Sequence, residues 1–206
     1  DDRTVTVEDT PELQLGHLPN WVQLITRERG EGVDAVGMEQ LVRHCLRMRP
    51  RRILLGEARG PEMVAILEAM NTGHDGSLTT VHSNSPRDAI SRIETLVLMA
   101  GMDLPLKVVR QQISSAVDLI VQQTRLKDGT RKVTAITEVN GMEGDTVVLT
   151  DIFKFEQTGV GPDNKLLGEI KPTGIRPLFS PRLEAAGFKL GAEIFMPSTP
   201  GRNLRR

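Results

Sequence analysis

Val5 and Val7 alternate with polar positions across residues 3–8, the period of two expected of a β-strand, and that strand ends at "EDTPEL". A Gly/Pro-containing segment without clear periodicity follows over 16–37, with the charged run "TRERGEG" in its middle. From 38 to 49, Met38, Leu41, Val42, Cys45 and Leu46 recur at helical spacing, while Arg43, His44 and Arg47 leave that face. Pro50 stops the helix, and 53–55 is a short apolar run of the kind found in a strand covered on both faces. Pro61 opens a second helix, with Val64 and Leu67, that ends before Gly73. The Thr/Val-rich stretch 77–82 predicts a third strand. Ser85 and Asp88 stand at capping-box spacing with Pro86 at the first helical position, and Ile90, Ile93, Leu96 and Val97 form the stripe of the helix they open. Residues 105–117 predict one more amphipathic helix.

Strand, helix, strand, helix implies parallel pairing, hence an α/β layer. After Asp118 the pattern changes. "LIVQQTRLKDGTRKVTAITEV" is two β-rich runs around a Lys-Asp-Gly-Thr turn, a hairpin signal. Another turn over 142–145 leads into "TVVLTDIFKFE", so antiparallel strands are expected to continue the sheet. From Gln157 onward Gly and Pro are frequent, and only "SPRLEAAGF" suggests a short helix. The expected organisation is therefore one α/β domain over 1–155 and a Gly/Pro-rich extension over 156–206, with "GRNLRR" as a frayed tail.

Composition narrows the classes of function. A chain of 206 residues can bury one substantial core with a small appendage. Its net charge of -1 supplies no global field toward nucleic acid or anionic lipid. With no Tyr, one Trp and five Phe it also lacks a stacking platform for bases. The single cysteine, Cys45, lies in an apolar helical register, as a buried thiol in a reducing compartment would. No apolar run reaches roughly 18 residues and "DDRTVTVED" is no signal peptide, so the expectation is a cytoplasmic chain whose membrane contact is peripheral. The first residue is not Met and a strand is already under way, from which an upstream part is expected.

Phosphate chemistry on an α/β sheet places acidic residues at the carboxyl ends of strands. Glu8 and Asp9 follow one predicted strand, and Glu57 in "ILLGEARG" follows another. Acidic residues at such places also serve as helix caps or solvated loop ends. "TGHDGSLTTVHSNSP" adds His74 before the next strand and His82 at its end, with Gly73 and Gly76 allowing close backbone approach to a ligand. Zinc bound by Glu57, His74 and His82 is the rival reading, but no H-E-x-x-H or paired-cysteine spacing accompanies it.

Three segments together resemble a known family. "VTVEDTPELQL", "RHCLRMRPRRILLGEARGPE" and "MNTGHDGSLTTVHSNSPRDAISRIETLVLMAGMDLP" are similar to the Asp box, Walker B and His box of type II/IV secretion ATPases, closest to the CpaF branch that drives tight-adherence (Flp-type) pilus assembly. The likeness runs from about Thr4 to Phe195 and is most specific over 41–105. It implies a partial RecA-like P-loop NTPase core, working as a homohexamer with ATP and Mg²⁺ between subunits, next to an inner-membrane platform protein. Under it, Glu8 orients or deprotonates the attacking water, and Asp9 belongs to the same nucleotide-facing box. Glu57 acts on Mg²⁺ through water or on catalysis directly. His82 senses the γ-phosphate and His74 supports the same loop. Arg27, Arg29, Arg43 and Arg47 are candidates to reach nucleotide, and Arg59 is expected to partner the acidic residues locally.

One part of the family pattern is absent. No G-x-x-x-x-G-K-S/T loop, and no Gly-Lys dipeptide, occurs in the chain. The expectation is the carboxyl-terminal part of a longer ATPase, inactive by itself. The alternative is a noncatalytic regulatory or scaffold subunit of the same machinery, which would have no chemical use for Glu8, Glu57 and His82. A nucleic-acid motor on a similar core is the third reading, and composition speaks against it.

Overall fold

In the computed structural model, which describes residues 2–197, the chain divides into two compact units. The first comprises Asp1–Val117 with Met142–Val147, the second Asp118–Gly141 with Val148–Arg206. The first passage from one unit to the other, at Asp118, coincides with the change in sequence pattern.

The first unit is a mixed α/β layer. Its strands are β1 (Thr4–Glu8), β2 (Trp21–Ile25), β3 (Arg52–Leu55) and β4 (Leu78–Thr79), in the order β2-β1-β3-β4. All three pairings are parallel, with Val5 opposite both Val22 and Ile53, and Leu55 opposite Thr79. Every residue of β1 is buried, as expected of the inner strand of a covered parallel sheet. β2 falls in the segment read as irregular. "WVQLI" has neither clean alternation nor flanking signals of its own, and it is a strand because β1 offers it a full edge. β4 keeps two of the expected six residues, and just past it the Thr80 carbonyl accepts the Ala58 N–H at 2.9 Å.

Four helices accompany this sheet. α1 (Met38–Cys45) passes into a 3-10 turn, Leu46–Met48, that ends on Arg49 at φ 53. α2 (Glu62–Asn71) buries Met63, Ala65, Ile66, Leu67 and Ala69, so it is apolar nearly all round, as a core helix is. α3 (Pro86–Met99) starts as expected, with the Ser85 hydroxyl accepting from the Asp88 N–H at 3.1 Å. α4 (Leu106–Ala116) buries Val109 and Ile113. Val5, Val7, Val42, Ile53, Ile66, Leu96 and Ile113 are at or near zero exposure and form the core. The tip 142–147 is gripped by helix cations: Arg87 donates to the Val147 carbonyl at 2.8 Å, and Arg110 to the Asp145 carbonyl at 2.8 Å.

Apart from the tip 142–147, the second unit is built on an antiparallel sheet of β5 (Leu119–Arg125), β6 (Arg131–Glu143), β7 (Thr146–Val160) and β8 (Leu166–Pro172), in that order. Contrary to expectation these strands form a sheet of their own and do not continue the first, because they pair only among themselves. The expected Lys-Asp-Gly-Thr turn joins β5 to β6, and Asp128 ties it by accepting from the N–H groups of Thr130 at 3.0 Å and Leu166 at 2.6 Å. β8 is an addition to the predicted elements. Gly168 reads as a loop residue, yet a Cβ there would collide with Phe155 Cζ and stand 2.5 Å from the Glu156 carbonyl, so the strand crossing itself demands glycine. Buried Glu138 accepts from the N–H groups of Leu178 and Phe179 at 3.0 and 3.1 Å, ahead of the expected short helix α5 (Ser180–Ala185). The tail "GRNLRR" lies outside the described residues. Among the described residues no helix is long and apolar enough to cross a membrane.

Candidate functional site

Parallel pairing of β1, β3 and β4 brings their carboxyl ends to one edge of the sheet. The Gly56 N–H donates to the Val7 carbonyl at 2.9 Å, which seats the residues after β3 against the end of β1. A Cβ on Gly56 would meet Glu8 Cγ at 3.2 Å, so this position keeps the two acidic loops close. Thr80 then joins the third strand end to the second. Its carbonyl accepts the Ala58 N–H at 2.9 Å and its hydroxyl donates to the Gly56 carbonyl at 2.7 Å.

These ties place His82 Nε2 3.0 Å from Glu57 Oε1, while Arg59 reaches Glu57 Oε2 at 2.5 Å. The two sides of the carboxylate differ. Oε2 is engaged by the guanidinium, whereas Oε1 is buried and accepts no hydrogen bond from a described residue. The His82 contact is therefore one of charge distance without hydrogen-bond alignment. The Glu57 side chain is 20% exposed against 88% for His82. Hydrogen bonding from Arg59 holds the Glu57 carboxyl below its ordinary range; partial burial opposes this, and the charges of His82, Arg59 and Arg92 reinforce it. The Arg59 guanidinium is correspondingly favoured as a cation by its bond to Glu57, with Asp9 and Glu12 adding their charges.

Glu8 is buried, and its carboxylate serves the loop that follows it. Oε1 accepts from the N–H groups of Glu12 and Leu13 at 3.1 and 3.0 Å, and Oε2 from Gln23 Nε2 at 3.4 Å. Asp9 accepts from the Thr26 hydroxyl at 2.9 Å. Arg27 stands on the loop after β2 but turns its guanidinium to the Asp34 carbonyl, at 3.2 and 3.1 Å.

The remaining candidates are not brought to Glu57. His74 precedes β4 while His82 follows it, and His74 Nδ1 sits 3.0 Å from the Ala69 carbonyl at the end of α2. Arg43 pairs with Glu39 on the exposed face of α1, at 3.0 Å. Arg47 occupies the 3-10 turn ahead of β3, at the opposite end of that strand from Glu57. Zinc has no set of donors either: among the described residues there is no group of three or more His, Cys, Asp or Glu able to hold a metal ion.

Two participants escape sequence reading. Thr80 is one Thr in a Thr-rich strand, and nothing local says that its hydroxyl crosses to the Gly56 carbonyl. Glu62 resembles an ordinary acidic first-turn residue, yet it is only 7% exposed and points back along the chain, accepting from the Arg59 and Gly60 N–H groups at 2.5 and 2.7 Å.

Residues 1–150 match the family described as type II/IV secretion system protein. The type IV secretion system protein VirB11 of Bartonella henselae is 40% identical over 138 residues, 66% of this chain and 38% of that protein. The conjugal transfer protein TrbB of Rhizobium radiobacter is 39% identical over 141 residues, 68% of this chain and 40% of that protein. Among solved structures, the VirB11 ATPase of the Brucella suis type IV secretion system, in complex with sulphate, superposes with a TM-score of 0.59 at 35% identity, over 67% of this chain and 40% of that one. The chain thus spans about two fifths of the length of the relatives it matches.

Proposed function

We propose that this chain, which belongs to the type II/IV secretion system protein family, is the part of an ATP-hydrolysing secretion motor that acts on the terminal phosphate. The single observation that carries the reading is the pair at the strand ends: Glu57, whose buried Oε1 accepts no hydrogen bond from a described residue, and His82, 3.0 Å from that oxygen and open to solvent. Once the exposed imidazole turns off it, a carboxylate oxygen without a hydrogen bond suits a water on one side, with the imidazole free to meet a phosphoryl oxygen on the other.

The residues fit Mg²⁺ as an ion carried in on the nucleotide. With the His82 ring turned aside, Glu57 Oε1, which accepts no hydrogen bond from a described residue, could accept from one of the ion's waters, and Mg²⁺ usually keeps several. When bound, that ion would neutralise charge on the phosphates. Glu57, kept ionised by Arg59, takes a water at its Oε1 when the exposed His82 ring swings off that oxygen. His82 presents its imidazole to the γ-phosphate from the neighbouring loop, and Thr80 keeps the two loops in register. Glu8 shapes the loop of Glu12 and Leu13. To orient water, as its position in the Asp box implies, it must exchange those backbone donors for that water. Asp9 and Arg27 flank this edge. Arg43, on α1, Arg47, in the turn ahead of β3, and His74, beside the end of α2, are not brought to Glu57 and would meet nucleotide only if it is shared between subunits.

The phosphate-wrapping loop, lacking here, would come from the rest of the whole protein, with 1–155 as the carboxyl-terminal part of its RecA-like domain and 156–206 as an extension. Assignment to the CpaF branch, a homohexameric ring, an inner-membrane platform partner and a Tad/Flp pilus complete the proposal. The test uses the whole protein: Glu57→Gln should keep nucleotide affinity and lower turnover by about a hundredfold or more. Unchanged turnover would remove Glu57 from the chemistry, and a wild-type protein that binds no ATP would favour the regulatory subunit instead.

A further inference from the structure

We propose that Glu62 is a positioning residue for Glu57, acting through Arg59. The inference rests on the reading of Glu57 as the residue that acts on water. Arg59 holds Glu57 Oε2 at 2.5 Å, but its own side chain is 66% exposed. Long exposed side chains are held in one geometry only at an entropic cost, so a guanidinium that serves one oxygen needs a fixed backbone beneath it.

That backbone is fixed by three consecutive N–H groups. Ala58 donates to the Thr80 carbonyl at 2.9 Å, and Arg59 and Gly60 both donate to Glu62 Oε1. Gly60 permits the close approach, since a Cβ there would stand 3.3 Å from Glu62 Oε2. Capping of α2 does not explain the arrangement. Met63 and Val64, the helix's own early donors, bond to the Gly60 and Pro61 carbonyls at 3.2 and 3.1 Å, and Glu62 turns away from them to the loop ahead of the helix. Burying a carboxylate is costly unless it is well satisfied, and both donors that satisfy Glu62 belong to the loop that carries Arg59.

The experiment has two arms. In the 206-residue chain, amide hydrogen exchange at Arg59 and Gly60 should accelerate about tenfold or more in Glu62→Ala, and be largely restored in Glu62→Gln, whose carbonyl can still accept both donors. Gly60→Ala deletes no buried charge and should shift exchange the same way by crowding Glu62. In the whole protein, Glu62→Ala and Arg59→Gln should each lower kcat by about tenfold to a hundredfold with little change in the KM for ATP, and the double variant should be no slower than Arg59→Gln alone. Unaltered exchange at residues 59 and 60 in both Glu62→Ala and Gly60→Ala would overturn the clamp. Multiplying effects on kcat would overturn action through Arg59. Should Glu57→Gln leave turnover intact, the reading of Glu57 fails, whereas the exchange data still decide whether Glu62 holds the loop.

Discussion

The two units use β-structure in opposite ways. In the first, the strands are parallel, and β1 is buried along its whole length, with Val5 and Val7 packed in the core and Thr6 accepting from the Trp21 indole at 3.0 Å. Parallel strands also end on the same edge, and Glu8, Glu57 and His82 stand at or just past three neighbouring strand ends. In the second unit, antiparallel strands end alternately at opposite edges and expose apolar residues, with Val121 at 59% and Leu167 at 50%. Its buried or tied carboxylates, Glu138 and Asp128, hold backbone N–H groups of their own unit. Reactive groups converge where topology makes strand ends converge.

The largest contrast to test is packing. Ile53→Ala, at a position of zero exposure in β3, should cost about 2–5 kcal/mol of unfolding free energy in urea, whereas Val121→Ala should stay within about 0.5 kcal/mol. Equal effects would erase the distinction between the covered inner strands of the first sheet and the half-exposed strands of the second. Next in size, Glu138→Ala leaves the Leu178 and Phe179 N–H groups without their acceptor and should cost about 1–3 kcal/mol. Hydrogen exchange should localise that loss to the second unit; a loss spread over β1 and β3 would contradict it.

How much of this was legible in the sequence divides along the same line. Helix α3 was legible because its signals are local, Ser85 capping Asp88 and Pro86 at the first turn. The partnership of Arg59 with Glu57 was legible too, two residues apart on one loop. β2 and β8 were hidden because each owes its state to a neighbour: "WVQLI" to the edge of β1, and Gly168 to Phe155 and Glu156. The placing of His74 before and His82 after one strand was legible as well, whereas the Thr80 tie that brings His82 to Glu57 runs between distant loops and leaves no local signal. Arg47 resembles a nucleotide contact by position, but α1 and its 3-10 turn carry it to the start of β3, away from Glu57.

Smaller effects sharpen the first unit further. Thr80→Val removes the hydroxyl tie to Gly56 and should cost about 0.5–1.5 kcal/mol of stability. Beyond that cost, it should broaden the His82 ring resonances as the Glu57 contact loosens; sharp, unshifted signals would show that the backbone bond to Ala58 suffices. Burial in α1 pushes the Cys45 thiol from 9.0 up to about 11. Between those values the native state keeps a proton that the unfolded chain gives up, so stability falls as pH rises through that window. At pH 8 the native thiol should resist Ellman's reagent and react promptly once the chain is unfolded in urea. Rapid native labelling would place α1 outside the core.

The most direct measurement of the central claim is a double-mutant cycle between Glu57→Gln and His82→Ala, read as ATP turnover by the whole protein. If the strand ends make one working pair, the double variant should be scarcely slower than Glu57→Gln alone, with a coupling of about 1 kcal/mol or more. If the two losses simply multiply, the 3.0 Å contact is proximity without shared chemistry, and Glu57 and His82 do not form a working site.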